Sequence, residues 1–256
     1  MGWVKILGLA VINPEMDRKK VATITATQAL QNWQTDHPDQ RLEEVEEVGL
    51  QFSHPPIKVM SDKLAQLANC KKLMISTNNI EEIGFLPPRI ELLSIGRNML
   101  KKLDKIDRAA ATLQQLWMSY NDVKTIGPLV QCKRLRVLYC AFNKLDKVAE
   151  LDRLSQLQNL EDLVLVGNPL VETISKNKNY RLEVCKRCKK LSVLDGVQVT
   201  DADRGDETIR LTGDTGSASK TGGLSTGNQT TGPTSGTASD GGSRAVSPRP
   251  DSSGRK

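Results

Sequence analysis

The sequence predicts an α/β fold, a solenoid with parallel strands on its concave face, and two observations carry that prediction. The first is a phrase, apolar-x-apolar-x-x-Asn-x-apolar, that occurs five times between residues 73 and 170. It reads Leu73, Ile75, Asn78, Ile80; then Leu93, Ile95, Asn98, Leu100; then Leu116, Met118, Asn121, Val123. Leu138, Cys140, Asn143, Leu145 and Leu163, Leu165, Asn168, Leu170 complete the set. The second is the spacing: successive asparagines lie 20, 23, 22 and 25 residues apart, as in an array where each turn supplies one strand and one return segment.

That period and phrase are those of a leucine-rich repeat. In each apolar-x-apolar pair the outer residues point into the core, while the x residues point to the opposite face. The asparagine falls where the chain turns back, and its amide can both donate to and accept from backbone groups of neighbouring turns. Asn78, Asn98, Asn121, Asn143 and Asn168 are therefore read as a structural ladder.

From the beginning of the chain, residues 1–21 read as a flexible N-terminal extension. MGWVKILGLAVI has a lysine and a short apolar run, but it lacks a clear small-residue cleavage site and runs into Asn13-Pro14, which disfavours a signal peptide. Met16 offers an alternative start. The repeat domain is placed at 22–204. It opens with a capping helix over 22–34, where Leu30 and Trp33 have helical spacing. Residues 42–60 read as a degenerate first repeat in which Leu50, Phe52, Ile57 and Met60 keep the apolar columns and Pro55 replaces the ladder asparagine. The repeats proper run from about 45 to 175. Their return segments add an apolar column eight residues before each asparagine (Cys70, Ile90, Leu113, Leu135, Leu160) and another five after it (Ile83, Leu103, Ile126, Val148). Residues 176–204 read as the C-terminal cap, with an amphipathic helix over 177–190 and a column that restarts at Leu191 and Leu194. Residues 205–256 are rich in Gly, Ser and Thr with almost no large apolar side chains, a composition that predicts disorder.

Composition and motifs remove several classes of function. The 256 residues are 38% apolar and only 4% aromatic, with leucine and isoleucine filling the core and no run long enough for a membrane span. Residues 201–256 are charge-balanced, so the net charge of +6 belongs to 1–200. The basic clusters at 101–105, 132–134 and 185–190 suit an acidic protein surface. They lack the aromatic interleaving of a nucleic-acid groove, and none is expected to bind one. Cys185-x-x-Cys188 has no second ligand pair, and the two histidines, His37 and His54, lie far away in sequence, so no metal site is expected. All five cysteines fall in core columns, as small hydrophobes would, and their odd number points to a reducing compartment. No phosphate loop or catalytic motif stands in a supporting context. The chain reads as a binding module with no catalytic residues and no cofactor.

The strand x positions say where it binds. A solvated face would not carry Met74, Leu92, Trp117, Val137, Tyr139, Val164 and Val166 together. Arg97, Tyr120 and Phe142 add an edge just before the asparagines, and the small residues 94, 96, 119 and 141 leave room between the large ones. An exposed apolar patch centred on tryptophan and tyrosine predicts a protein interface.

The phrases PPIKVM (55–60), LLSIGRNMLKKL (92–103), LQQLWMSYNDV (113–123), LEDLVLVGNPL (160–170) and YRLEVCKR (180–187) resemble the leucine-rich-repeat light chains of axonemal outer-arm dynein. With ATITATQALQNW at the front, the likeness runs from about residue 22 to about 204. The resemblance implies a dynein heavy chain as partner, bound at its microtubule-binding region, with the tubulin surface nearby, and a place in the cytoplasm and the cytoskeleton of a cilium or flagellum. It also implies that Arg181, Lys186 and Arg187 of the terminal helix lie near the heavy chain or microtubule. Another intracellular adaptor of the same repeat class, phosphatase-regulatory or spliceosomal, is the alternative.

Overall fold

The computed structural model describes residues 21–205; the expectations for the N-terminal extension and the Gly/Ser/Thr-rich tail lie outside the described residues. Within them the chain is a leucine-rich-repeat solenoid. It starts with a two-residue strand β1 (Ile24–Thr25) and helix α1 (Ala26–Asp36). Thr25 and Gln28 form a reciprocal capping box at the helix start, which satisfies donors that the first turn leaves open. The helix therefore begins later than the sequence predicts, because Ile24 is taken up by parallel pairing with Ile57 of β3 (Ile57–Val59).

The main sheet begins with β2 (Glu47–Gly49) and continues through β4 (Lys72–Met74), β5 (Leu92–Ser94), β6 (Gln115–Trp117), β7 (Val137–Tyr139) and β8 (Asp162–Val164). Strand β9 (Val193–Leu194) follows in parallel, and β10 (Val197–Gln198) closes the edge antiparallel to it. The register is strict: Leu73, Leu93, Leu116, Leu138 and Leu163 stand opposite one another in consecutive pairs, and all are fully buried. Such short strands suffice because each buries one column of leucine against the return segments rather than a wide sheet face. Those segments include 3-10 turns at Asp62–Gln66, Ile106–Ala109 and Gly127–Gln131 and the short helices α2 (Ala149–Leu154) and α3 (Pro169–Ser175). Helix α4 (Tyr180–Arg187), β9, β10 and the one-turn helix α5 (Asp201–Arg204) form the C-terminal end.

Three column assignments are corrected, those of Pro55, Phe52 and Val148. Val48 pairs with Leu73, an offset of 25 residues, so the first repeat's ladder slot is Ser53 and not Pro55. Ser53 Oγ donates to Leu50 O at 2.9 Å, the counterpart of the bond from Asn78 Nδ2 to Ile75 O. Phe52 then occupies the slot before the ladder residue, where φ is positive, and its side chain turns outward to 72% exposure. Val148 is likewise exposed. The fourth return segment enters helix α2 one residue later and buries Glu150 and Leu151 instead.

Candidate interaction surface

The asparagine ladder sets the geometry of the surface. Asn121 illustrates the pattern: its Nδ2 donates to Ile95 O and Met118 O, both at 3.1 Å, while its Oδ1 accepts from Leu100 N at 2.9 Å. One buried amide thus serves three backbone groups from two adjacent turns. Asn78, Asn98, Asn143 and Asn168 repeat this, each accepting from the amide of the preceding return segment (Ile57, Ile80, Val123 and Leu145). All five are buried.

The residue before each ladder position must leave the strand sharply, and Thr77, Arg97, Tyr120 and Phe142 all have φ between 51° and 60°. A left-handed backbone costs a non-glycine residue about 1–2 kcal/mol, and the ladder bonds that follow offset it. This conformation throws the side chains outward along one rim. There the Arg97 guanidinium lies 4.4 Å from the Tyr120 ring centroid, and the Tyr120 and Phe142 rings stack at 4.7 Å and 12°. Phe142 in turn rests over Gly167, where a Cβ would come within 2.5 Å of the ring. Gly167 has φ +77°, so both the turn and the close approach exclude a side chain. Nothing in the repeat phrase singled out that glycine as the end of a stack.

On the sheet's open face the x positions form a second ridge. Met74, Leu92, Trp117, Val137, Tyr139 and Val164 are each half-buried and Val166 is exposed. Trp117 and Tyr139 stack at 5.9 Å and 19°. The Tyr139 hydroxyl donates to Asp162 Oδ2 at 2.7 Å, and this bond is the main cause that pushes its pKa up to about 12. The hydroxyl is therefore tethered, and its ring is held flat beside the indole. Trp117 Nε1 is buried without a hydrogen-bond partner. Between the two ridges run Gly96, Ser119 and Ala141. The main helix contacts are with one another, with the 3-10 turns and with the small β1–β3 pair rather than across this face.

The terminal helix is engaged differently. Arg181 forks onto Asp203 at 2.9 and 3.0 Å and also donates to Leu194 O and Gln198 O. Arg187 pairs with Glu183 and Asp152, and Lys186 is exposed. Of these three cations, two already hold the cap together, and Lys186 alone points freely to solvent.

Two carboxylates that the repeat phrase does not reveal complete the frame. Glu150, 1% exposed, accepts from Ile126 N at 2.9 Å and from Thr125 Oγ1 and pairs with Arg153. Asp195 Oδ1 accepts from Leu165 N and Val166 N at 2.7 and 3.1 Å. In the preceding turns the counterparts of Leu165 N bond to a carbonyl of the next strand, as Cys140 N does to Val164 O. Among the described residues no three His, Cys, Asp or Glu converge on a point that could hold a metal. Burial pushes the Cys70 and Cys132 thiols up to about 11 and Cys188 to about 12, against the thiolate form that a metal requires.

Comparisons with known proteins agree with this architecture. The profile of the leucine-rich-repeat family matches residues 79–220. Dynein axonemal light chain 1 of Chlamydomonas reinhardtii is 42% identical over 161 residues, covering 61% of this chain and 81% of the relative. The human protein of the same name is 40% identical over 181 residues, covering 70% and 95%. Among solved structures, internalin C2 of Listeria monocytogenes superposes with a TM-score of 0.50 at 19% identity, covering 65% of this chain and 72% of that one. That last likeness is one of fold alone.

Proposed function

Because this chain belongs to the leucine-rich-repeat family of dynein axonemal light chain 1, we propose that it is a non-catalytic subunit that binds an axonemal outer-arm dynein heavy chain at its microtubule-binding region and tunes ciliary or flagellar motor activity. The binding surface in this reading is the open face of the sheet, with Met74, Leu92, Trp117, Val137, Tyr139, Val164 and Val166 as its floor and ridge and Arg97, Tyr120 and Phe142 as its rim. Tubulin lies close to the bound complex, on the side of the terminal helix and Lys186. The carrying observation is the stacked Trp117–Tyr139 pair, half-buried on the one sheet face that the repeats do not use for their core. Aromatic rings held rigid and partly dry lose little conformational entropy on binding, which is why such rings dominate interface energetics.

Co-purification from axonemes tests the reading. The full chain, immobilised and exposed to a salt extract of axonemes, should retain an outer-arm heavy chain in roughly equimolar amount. Retention of a protein phosphatase or a spliceosomal protein in its place would assign the chain to a different adaptor and overturn the proposal.

A further inference from the structure

The two edges of the main sheet are finished differently. At one end β10 folds back on β9, while at the other β2 is last in order, with β4 as its neighbour. What β2 lacks can be read from the turns that follow it. Met74 O accepts from Leu50 N and Ser76 O from Phe52 N, and the same two bonds recur between all later turns up to Val164 and Val166. By register the equivalent carbonyls in the first turn are those of Gly49 and Gln51, and no described residue donates to them. Helix α1 hides the core columns at this end, but its own N–H groups are spent inside the helix. It forms instead the second wall of a groove of about 240 Å³ beside Gly49 and Gln51, presenting Ala29, Asn32, Trp33 and Asp36, one helix face by their spacing. A strand edge with open backbone groups beside such a groove is a seat for one more extended strand.

Charge and reach select the occupant. A second copy's β2, related by a two-fold axis, would set Glu46 and Glu47 of both copies side by side, and facing like charges destabilise a strand pair. The chain's own residues 3–9, WVKILGL, are apolar except for glycine and Lys5, the one charged side chain in residues 1–14. Asp36 is exposed in the groove and forms no ion pair among the described residues. Ile24 lines the same groove and pairs with Ile57, downstream of β2, so it marks the end where β2 finishes and Asp36 the end where β2 begins. A segment parallel to β2 therefore places Lys5 beside Asp36 and leaves residues 10–23 to lead back to Ile24. Those fourteen residues span up to about 46 Å at about 3.3 Å per residue, several times the length of the groove. We propose that residues 3–9 occupy this groove as a strand parallel to β2, the amides of Leu7 and Leu9 donating to Gly49 O and Gln51 O and Lys5 pairing with Asp36. The extension then shields the sheet edge from pairing with other chains. No residue of the open face enters, so the inference is independent of the heavy-chain reading.

Amide hydrogen exchange on the full chain and on a chain shortened to begin at Met16 tests the proposal. The alternation of a parallel ladder turns the Gly49 N–H outward with its carbonyl. That amide should exchange about tenfold or more slowly in the full chain than in the shortened one, while Val48, whose amide faces β4, serves as the unchanged control. Leu7→Pro in the full chain removes a ladder donor and should release Gly49 as the shortening does, which keeps the test decisive if the shortened chain fails to fold. Zero-length carbodiimide coupling of the full chain, in a mixture of isotope-labelled and unlabelled protein, should join Lys5 to Asp36 within one chain. Equal Gly49 rates in the full and the altered chains, whether fast or slow, would overturn the proposal. Coupling that joins labelled to unlabelled chains would assign the groove to a second copy's extension and overturn the intrachain seat. Protection of Gly49 that appears only on adding axonemal extract would give the edge to a partner's strand instead.

Discussion

A single ladder residue shows how much one side chain carries in this fold. Asn121 satisfies two carbonyls and one amide that are all buried, and each buried group left without a partner costs about 1–3 kcal/mol. Asn121→Ala should therefore destabilise the domain by roughly 3 kcal/mol, read as a lower denaturant midpoint. Asn121→Asp should also be costly, because a carboxylate cannot donate to Ile95 O and Met118 O. A loss below about 1 kcal/mol for Asn121→Ala would show that water replaces the amide. The ladder was legible from the five phrases because the donor and acceptor needs of the turn recur with the period. Ser53 was not legible as a ladder residue, since its hydroxyl substitutes for an amide only in the register that β2 adopts against β4. Glu150 escaped for the same reason: a glutamate in a run of charged residues is unremarkable until Ile126 N and Arg153 are found facing it.

At the scale of the element, the ends of the solenoid must hide a core edge that every internal repeat hides for its neighbour. Helix α1 does so at one end with Leu30 and Trp33 buried. At the other end Asp195-Gly196 makes a two-residue turn with both φ values positive, 51° and 76°, the geometry that tight hairpins demand. That turn folds β10 back onto β9 and ends the parallel stack. The Asp195 carboxylate then takes the place of the absent next strand. The cap is locked by Arg181 on Asp203, and this fork together with Thr200 holds the Asp203 carboxyl well below the usual carboxylate range. A depressed carboxyl stabilises the folded state above its unfolded titration point, and that contribution disappears as pH falls through the folded one. The Arg181–Asp203 contribution is thus complete at neutral pH, begins to decline below about pH 4, and is lost only as pH approaches the depressed folded-state value. Arg181→Ala should lower the denaturant midpoint at pH 7 and leave a shallower decline from pH 4 to pH 2 than the wild type shows. Equal slopes for the two proteins would mean the pair is not linked to folding.

For the whole molecule, the division of labour between the two sheet faces is what matters. One face holds columns of buried leucine and isoleucine; the other holds half-buried rings that no repeat needs. Trp117→Ala combined with Tyr139→Ala should therefore weaken heavy-chain retention severalfold or more while the protein still melts cooperatively. Some loss of stability is expected, since the rings stack on each other and Tyr139 bonds to Asp162, worth about 0.5–1.5 kcal/mol for such an aromatic pair. If the doubly substituted chain no longer folds, the rings belong to the core and the open face is not a free surface.

By itself the sequence determined the repeat, its strand register and its two faces. The strand offsets of 20, 23, 22 and 25 residues are the spacings of the asparagines themselves. It could do so because those features are periodic, and a periodic pattern of burial leaves a periodic trace in residue type. Tertiary structure decided what happens once: where the first repeat begins, how Asp195 ends the sheet, and how Arg97, Tyr120, Phe142 and Gly167 join into one rim. Each of these depends on residues from different turns meeting across about 5 Å of inter-strand space, a contact that distance along the chain does not encode.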